Sequence, residues 1–235
     1  MKTPISIIIP CYGASSFIHE CLDSIYSNDL NNREFEVILG IDGCKSSLST
    51  ILSLTSYYKN IKVFYSKENN GTYITINSML QYAKYDYILK FDADDVMKPD
   101  LINLLDRYAN TQCDYCILRG QDFTESIEDV NPKIWYYGGL WFSSQKTFKV
   151  LGGFQPWLCA ADSELIDRAK RSKQLKVTST SPNEGVFYRR VHPGSITKQG
   201  KTSFSSDLRK QYREQIGKSE IFITPTVAKN FEKII

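Results

Sequence analysis

Three aspartates crowd into four residues directly after the apolar run YILKF. They are Asp92, Asp94 and Asp95, with only Ala93 between the first two. Like charges this close repel one another unless a positive group lies between them. Two aspartates one residue apart at a strand end can bind a hard divalent cation together with the diphosphate of a nucleotide. The alternative is capping of the helix that Pro99 would begin, but capping accounts for only one of the acids.

Two other positions carry side chains that could act with such a cluster. His192 follows a predicted strand and is one of two histidines, and its imidazole could bind a metal, although a lone histidine is more often structural. Asp162 and Glu164 stand near the start of a predicted helix, where acids commonly serve as caps. The functional alternative for Asp162 is a general base that takes a proton from a hydroxyl. The residues alone leave both interpretations open.

The predicted elements explain how these residues could meet. Four apolar runs read as strands, separated by segments with helical apolar spacing: Ile5–Ile9, Phe35–Ile41, Ile61–Tyr65 and Tyr87–Phe91. This alternation predicts an α/β fold with a parallel sheet and helices on both faces. Ligands of such sheets bind beyond the carboxyl ends of the strands. Polar clusters stand at each predicted end: Tyr12-Gly13, Asp42-Gly43, Asn70-Gly71 and the acids from Asp92.

The strand–helix alternation stops after about residue 112. The segment WYYGGLWFSSQ predicts an aromatic-rich antiparallel strand. We therefore predict three parts: a first half of a single domain (1–111), a second half (112–197), and a basic C-terminal helix and tail (198–235) whose last dozen residues are loosely held.

Composition limits the class of protein. The 235 residues are 42% hydrophobic and 23% charged, which is typical of a soluble globular chain. From Lys198 onwards there are eight basic residues against four acidic ones, so the tail could contact phosphate, anionic lipid or an acidic acceptor, or be an ordinary solvated helix face. No apolar run reaches the roughly 18 residues of a membrane span. Six scattered cysteines predict reduced thiols and a cytoplasmic location.

Seven segments, in order, resemble the motifs of a known enzyme family. Together they run from about residue 4 to 197 and are similar to those of the inverting GT-A glycosyltransferases of family 2. One such segment would be weak support, whereas seven in order are specific. The segments are SIIIPCYGASSFIHECLDSI, FEVILGIDGCKSS, ENNGTYITINSML, YILKFDADD, GGF, ADSEL and YRRVHPGSIT.

The resemblance implies that residues 1–111 form the nucleotide-sugar-binding half of the domain and residues 112–197 its acceptor-binding and catalytic half. Candidate platforms for stacking a sugar ring in the second half are Trp135, Tyr137, Trp141 and Trp157, although core packing is expected for most of them.

The resemblance also implies a role for each matching position. Asp92-Ala93-Asp94 would be the DxD motif, in which Asp94 binds the metal and Asp92 lies nearer the ribose and sugar. Asp162 would be the catalytic base, and His192 would complete the metal site. The other donor-binding positions are Pro10, Tyr12 and Asp42 at the nucleotide base, and Asn70, Gly71 and Asn77 beside the ribose and diphosphate.

The implied reaction is a single displacement at the anomeric carbon of a nucleotide-sugar, with UDP as the expected nucleotide. It would require Mn²⁺ or Mg²⁺ and would invert the anomeric centre. The acceptor could be a glycan, a lipid-linked intermediate or another hydroxyl, and neither peripheral membrane contact nor a nucleic-acid acceptor is ruled out by the residues.

The chain also departs from the family pattern. Gly13 stands where the family often has asparagine, and Ala161 replaces the acid that commonly precedes the base. The absence of a QxxRW motif argues against processive synthesis and for a single transfer. Two alternatives stay open: a nucleotidyltransferase of similar fold, and a non-catalytic homologue that binds a glycan or partner. The first usually has a basic glycine-rich loop, which PCYGASSFIHE lacks.

Overall fold

Residues 2–235, the part of the chain that the computed structural model describes, form ten β-strands and seven α-helices. Within the predicted first half, residues 1–111, only residue 1 lies outside the described part of the chain. The strands are β1 (Ile5–Cys11), β2 (Phe35–Asp42), β3 (Ile61–Ser66), β4 (Tyr87–Lys90), β5 (Val96–Met97), β6 (Tyr115–Phe123), β7 (Ile134–Ser144), β8 (Val177–Ser179), β9 (Phe187–Arg190) and β10 (Phe231–Lys233). The helices are α1 (Ile18–Tyr26), α2 (Lys45–Leu54), α3 (Thr72–Leu80), α4 (Leu101–Asn110), α5 (Gln145–Leu151), α6 (Ala161–Arg171) and α7 (Asp207–Gln215).

One mixed sheet runs through the whole molecule in the order β10-β3-β2-β1-β4-β7-β6-β9-β5, with β8 beside β6. Strands β3, β2, β1 and β4 are parallel, and the register pairs Ile8 with both Ile38 and Lys90. Strand β7 runs antiparallel to both β4 and β6. The predicted α/β class, with a mainly parallel sheet and a smaller antiparallel portion, is confirmed.

Helices cover both faces of the sheet because its parallel strands are apolar on both sides. In β1, Ile7 and Ile9 enter one core and Ile8 enters the other. Helices α1, α2 and α4 supply apolar side chains to the first core, and α3, α5 and α6 to the second. None of the helices in residues 2–235 is long and apolar enough to cross a bilayer.

The C-terminal tail packs into the fold, so the prediction of a loosely held last dozen residues is wrong. Strand β10 pairs with β3, and the Phe231 ring stacks on Phe64 with 5.4 Å between centroids. Further upstream, the backbone N–H of Ala228 donates to the Ser78 hydroxyl at 2.8 Å. Burial of Phe231 and Ala228 stabilises a segment whose own sequence is largely polar.

The start of α4 differs from the prediction. The helix begins at Leu101, after Asp100 in the left-handed conformation with φ 67°. Pro99 therefore precedes the helix and does not lie in its first turn. Asp95 is not its cap, since Asp100 occupies the N-cap position and makes no side-chain capping bond.

Candidate active site

The first of the three clustered acids pairs with a buried lysine. Lys90, the last residue of β4, is only 3% exposed, and its Nζ lies 2.5 Å from an oxygen of Asp92. Asp92 is thus the counter-ion that allows the end of the sheet to bury an ammonium group. Burial raises the pKa of Asp92, with the Lys90 charge opposing and the Asp94 charge reinforcing that rise. Lys90 was missed at the sequence level because it reads as one more strand residue.

The second acid, Asp94, meets His192 at the end of β9. Nε2 of His192 and Oδ2 of Asp94 lie 2.9 Å apart, although the residues are 98 positions apart in the chain. Phe17 packs against the imidazole with 4.8 Å between ring centroids. The backbone N–H of Gly194 donates to Nδ1 at 3.2 Å, so both ring nitrogens have partners that orient the imidazole.

These two side chains fit a divalent cation. Two ligands at right angles on a cation, with bonds of about 2.1 Å, are separated by about 3 Å, and Nε2 and Oδ2 lie 2.9 Å apart. A carboxylate oxygen suits both Mn²⁺ and Mg²⁺, whereas an imidazole ligand favours a transition metal, so this pair fits Mn²⁺ better than Mg²⁺. No group of three acidic, histidine or cysteine ligands occurs among residues 2–235, and the third predicted ligand, Asp92, is engaged by Lys90. A cation here would therefore complete its shell with phosphate oxygens and water.

The third acid, Asp95, lies inside the protein. It is 1% exposed, and one oxygen accepts the backbone N–H of Arg190 at 3.0 Å while the other has no partner. Burial, together with the charges of Asp94 and Asp92, raises its pKa well above the usual range. The Arg190 guanidinium donates to the Asp94 carbonyl at 3.1 Å and pairs with Glu20. Arg190 therefore links residues 92–95 to β9 and α1.

Asp162 lies in the first turn of α6 and approaches the acid cluster from the other side. Its Oδ1 accepts a hydrogen bond from the Tyr73 hydroxyl of α3 at 3.1 Å. Burial and the Asp162 charge raise the pKa of Tyr73 well above its usual value, so the hydroxyl stays a donor. On the opposite side β7 passes so close that a Cβ at Gly138 would lie 3.0 Å from Asp162 Oδ2. Tyr73 and Gly138 together restrict where the carboxylate can go.

Glu164 is a structural acid, although it stands only two residues beyond Asp162. It is fully buried, and its two oxygens accept from Arg168 at 2.8 and 2.9 Å. Arg168 also donates to the carbonyls of Leu151 and Gly153, which ties α6 to the end of α5. Neither acid caps the helix, since the N-cap residue is Ala160 and makes no side-chain bond.

Five of the predicted donor-binding residues lie at the carboxyl ends of β1 to β3. Asp42 is 3% exposed, and its two oxygens accept the backbone N–H groups of Asn70 at 2.7 Å and Gly71 at 2.8 Å. Gly71 has φ 89°, a conformation that favours glycine. Pro10 is half-buried in β1, and the Tyr12 side chain beyond it is 64% exposed. The exposed ring and the buried carboxylate border the same strand ends.

Asn77 does not match the role predicted for it. It is 2% exposed, and its amide exchanges hydrogen bonds with the backbone of Phe154 at 2.8 and 2.9 Å. It also donates to the Thr226 carbonyl at 3.0 Å. These contacts use its amide to join α3, the turn after α5 and the tail, so Asn77 is structural and not a donor-contacting residue.

A cavity of 570 Å³ joins the acid cluster to Asp162. Ala93, between two of the lining acids, is buried. Pro10, Tyr12, Asp42 and Asn70 lie outside the lining, so the cavity lies at the acid cluster and Asp162 and not at the carboxyl ends of β1 to β3. The lining includes Asp92, Asp94, Asp162, residues 135–141 of β7, residues 195–197, and Phe204, Arg209 and Arg213 from the C-terminal part.

The aromatic residues divide as expected between packing and exposure. Trp141 is 1% exposed in the core, and Trp157 stacks on Tyr212 of α7 with 4.7 Å between centroids. Tyr137 carries the Arg189 guanidinium on its ring face. Trp135 is 39% exposed and lines the cavity, so it is the best candidate for stacking a sugar ring.

Solved structures share this fold. Residues 1–349 of S. aureus TarS in complex with UDP-GlcNAc match with a TM-score of 0.67 at 17% identity, covering 82% of this chain and 60% of that one. The Pyrobaculum calidifontis mannosyltransferase PcManGT, in complex with GDP-Man and Mn²⁺, matches with a TM-score of 0.67 at 18% identity, covering 83% of this chain and 59% of that one. The GT-A fold expected from the sequence is confirmed.

Curated relatives match over shorter stretches. An uncharacterised glycosyltransferase of Mycoplasma genitalium is 27% identical over 112 residues, which is 46% of this chain and 38% of that protein. The poly(ribitol-phosphate) beta-glucosyltransferase of Bacillus spizizenii is 34% identical over 93 residues, 39% of this chain and 15% of that protein. This chain thus corresponds to less than two thirds of the length of these relatives.

The family model described as "Glycosyl transferase family 2" matches residues 6–163, which is more than half of the chain. The matched region includes the strand ends, the acid cluster and Asp162. The chain belongs to glycosyl transferase family 2.

Proposed function

We propose that this chain transfers one sugar from a nucleotide-sugar, with UDP as its nucleotide, to an acceptor hydroxyl with inversion of the anomeric centre. The observation that supports this proposal is that one cavity is lined both by the Asp94 carboxylate, bonded to His192, and by Asp162. A sugar bound between them would have its leaving group at Asp94 and its attacking hydroxyl at Asp162, which is what a single displacement requires.

The donor would bind across the carboxyl ends of the strands. The nucleotide base would lie by Tyr12 and Asp42, and the ribose and diphosphate by Asn70 and Gly71. Asp94 and His192 would hold Mn²⁺ or Mg²⁺, which when bound neutralises charge developing on the diphosphate. The positively charged side chain of the protein at this end is Lys90, which forms an ion pair with Asp92. Two fold neighbours were solved with UDP-GlcNAc and with GDP-Man and Mn²⁺, which supports a nucleotide-sugar and leaves UDP as the proposal for this chain.

Asp162 would take the proton from the acceptor hydroxyl. The Tyr73 hydroxyl holds one of its oxygens, and the other lies against Gly138, so the carboxylate cannot swing away from the cavity. A carboxylate is a weak base for a sugar hydroxyl, so proton transfer must accompany attack, when the hydroxyl becomes acidic. The attacking oxygen and the departing diphosphate would then lie on opposite faces of the anomeric carbon.

The two rival functions have less support. A nucleotidyltransferase would need a basic triphosphate loop, and the segment 10–20 contains no lysine or arginine. A non-catalytic homologue would not need a carboxylate held by a tyrosine hydroxyl in the same cavity as Asp94 of the metal-fitting pair.

The test is a screen of purified protein against nucleotide-sugars with Mn²⁺ or Mg²⁺, following thermal stabilisation and release of the nucleotide. We expect metal-dependent stabilisation by one donor, and loss of it in Asp94→Asn. The matched control is Asp86→Asn, an exposed aspartate just before β4. Undiminished donor binding and release in EDTA would contradict the metal site, and the absence of any donor response would contradict the function as a whole.

A further inference from the structure

Two arginines of the C-terminal helix line the cavity without an acidic partner. Arg209 and Arg213 lie one turn apart on α7, a spacing that places both on the same helix face. From its sequence, this basic tail could contact phosphate, anionic lipid or an acidic acceptor, or form a solvated helix face. The structure places these two guanidinium groups at the cavity.

The Arg209 guanidinium is fixed in place by neutral groups. It is 7% exposed, and it donates to the backbone carbonyls of Thr202 at 2.6 and 3.0 Å and Ser203 at 3.1 Å. Its charge also lies over the Phe204 ring, 5.3 Å from the centroid. None of these partners is negatively charged, so the charge of Arg209 is not neutralised by its own surroundings.

The Arg213 side chain is exposed and makes no hydrogen bond or ion pair with any residue of the described part of the chain. The other arginines and the lysine that line the cavity do have carboxylate partners. Lys90 pairs with Asp92, Arg189 with Asp122, and Arg190 with Glu20. The positive charge of the cavity wall that has no carboxylate partner is therefore concentrated on α7.

Helix α7 is anchored at the Asp162 end of the cavity. Tyr212 stacks on Trp157 with the ring planes 2° apart, which joins α7 to the segment just before α6. Helix α7 also contacts α6, and Arg209 and Arg213 line the same cavity as Asp162 and Ser163 of the first turn of α6. Burial raises the pKa of Cys159, and the charges of both arginines oppose that rise. The stacked rings and the shared cavity lining therefore place both arginines beside the start of α6.

We propose that the acceptor carries an anionic group, a phosphate or a carboxylate, close to the hydroxyl that receives the sugar, and that Arg213 and Arg209 bind it. This inference rests on the proposed function and names the substrate class of the same site. Guanidinium groups bind both anions with paired, charge-assisted hydrogen bonds. Binding there would hold the acceptor hydroxyl at Asp162 while leaving the donor end to Asp94 and His192.

The competing role for these arginines is binding of the donor diphosphate. The donor end already has the metal-fitting pair Asp94 and His192, and its own cations Lys90 and Arg190 are paired with carboxylates. Arg209 and Arg213 lie instead on α7, which packs on Trp157 and on α6 beside Asp162. The two roles differ in which substrate loses affinity when Arg213 is changed.

The test uses a panel of neutral glycosides, each compared with its sugar-phosphate and its uronate counterpart as acceptor, with the donor found in the nucleotide-sugar screen. We expect the wild-type protein to favour one anionic series over the neutral one in kcat/KM. In Arg213→Ala that preference should fall by about tenfold or more, the range for loss of a hydrogen bond to a charged group. Arg213→Lys should retain part of it, and added salt should reduce it.

The control variant is Lys210→Ala, because Lys210 is exposed on the same helix, pairs with Asp207 and does not line the cavity. It should leave the acceptor preference unchanged. Equal use of neutral and anionic acceptors would overturn the inference, as would a rise in donor KM without a change in acceptor preference in Arg213→Ala. Failure of the proposed function is distinguishable, since then wild-type protein would release no nucleotide with any acceptor or with water.

Discussion

Two runs of acids, one after β4 and one opening α6, look alike in the sequence and differ in the structure. Each combines partly exposed acids on the cavity with one buried acid: Asp92 and Asp94 with Asp95 in the first run, and Asp162 with Glu164 in the second. Glu164 is fully paired with Arg168, whereas Asp95 keeps one oxygen without a partner. The comparison shows that the sequence indicates where acidic residues cluster, whereas the groups packed around each acid determine its role.

Asp162 and Glu164 differ in their surroundings, because only Asp162 lines the cavity. We therefore expect Asp162→Asn to have the largest effect on activity. Without a base in reach of the hydroxyl we expect transfer to fall by about 10²- to 10⁴-fold. Donor binding and the unfolding midpoint should stay close to wild type, because the amide keeps the shape of the carboxylate. Steady-state transfer, donor titration and thermal melts measure these three quantities.

Asp167→Asn is the matched control. Asp167 lies on the same helix, pairs with Arg171 at 2.7 Å and does not line the cavity. It should transfer sugar at the wild-type rate. Transfer at a normal rate by Asp162→Asn would remove the proposed base.

The reverse pattern is expected for Glu164→Ala. Removing one partner leaves the Arg168 charge buried and uncompensated, which typically costs about 3–5 kcal/mol of folding free energy. Urea unfolding, with the wild-type protein at the same pH, measures the loss. A variant as stable as wild type would show that the pair does not hold α6 to the end of α5.

The substitution Gly138→Ala tests whether the position of the Asp162 carboxylate matters, because it leaves the carboxylate itself unchanged. The added methyl would lie 3.0 Å from an Asp162 oxygen and 3.1 Å from the Ile166 side chain, so the carboxylate must shift. Displacing a catalytic group this way should lower kcat by about tenfold while the donor KM changes little. Gly139→Ala is the control, because its nearest contact would be an ordinary 3.9 Å. Equal rates in the two variants would show that β7 does not position the base.

The smallest effect is expected from Tyr73→Phe, which removes only the hydroxyl that donates to Asp162. Loss of one such hydrogen bond corresponds to about 1 kcal/mol, or roughly a fivefold fall in kcat. The donor KM should be unaffected, and Tyr82→Phe on the surface after α3 should behave as wild type. A change in donor KM with kcat intact would place Tyr73 in donor binding instead of base positioning.

Most of the first half could be predicted from local pattern. Apolar runs interrupted by glycine and aspartate predict the parallel strands, their polar carboxyl ends and the three acids after β4. A continuous apolar run is typical of a strand that is buried on both faces of a parallel sheet. The start of α4 was misplaced because Asp100 adopts a left-handed conformation that aspartate seldom takes.

Contacts that join distant segments were predicted less well, in the first half as well as in the rest of the chain. Asn77 matched a donor-binding position by motif, yet its amide is occupied by Phe154 and Thr226. Lys90 and Tyr73 were missed because a lysine in a strand or a tyrosine in a helix gives no local sign of its partner. The tail was expected to be loose because its sequence lacks strong periodicity, and only pairing with β3 shows otherwise.

The sequence by itself determined the α/β alternation, the family resemblance and the places where carboxylates accumulate, since these depend on residue types within a few positions of one another. Tertiary structure alone decided that His192 meets Asp94, that Tyr73 and Gly138 confine Asp162, and that Arg209 and Arg213 enter the cavity. Each of these contacts crosses the chain between separate elements, and its geometry depends on how the sheet and helices pack rather than on any local preference.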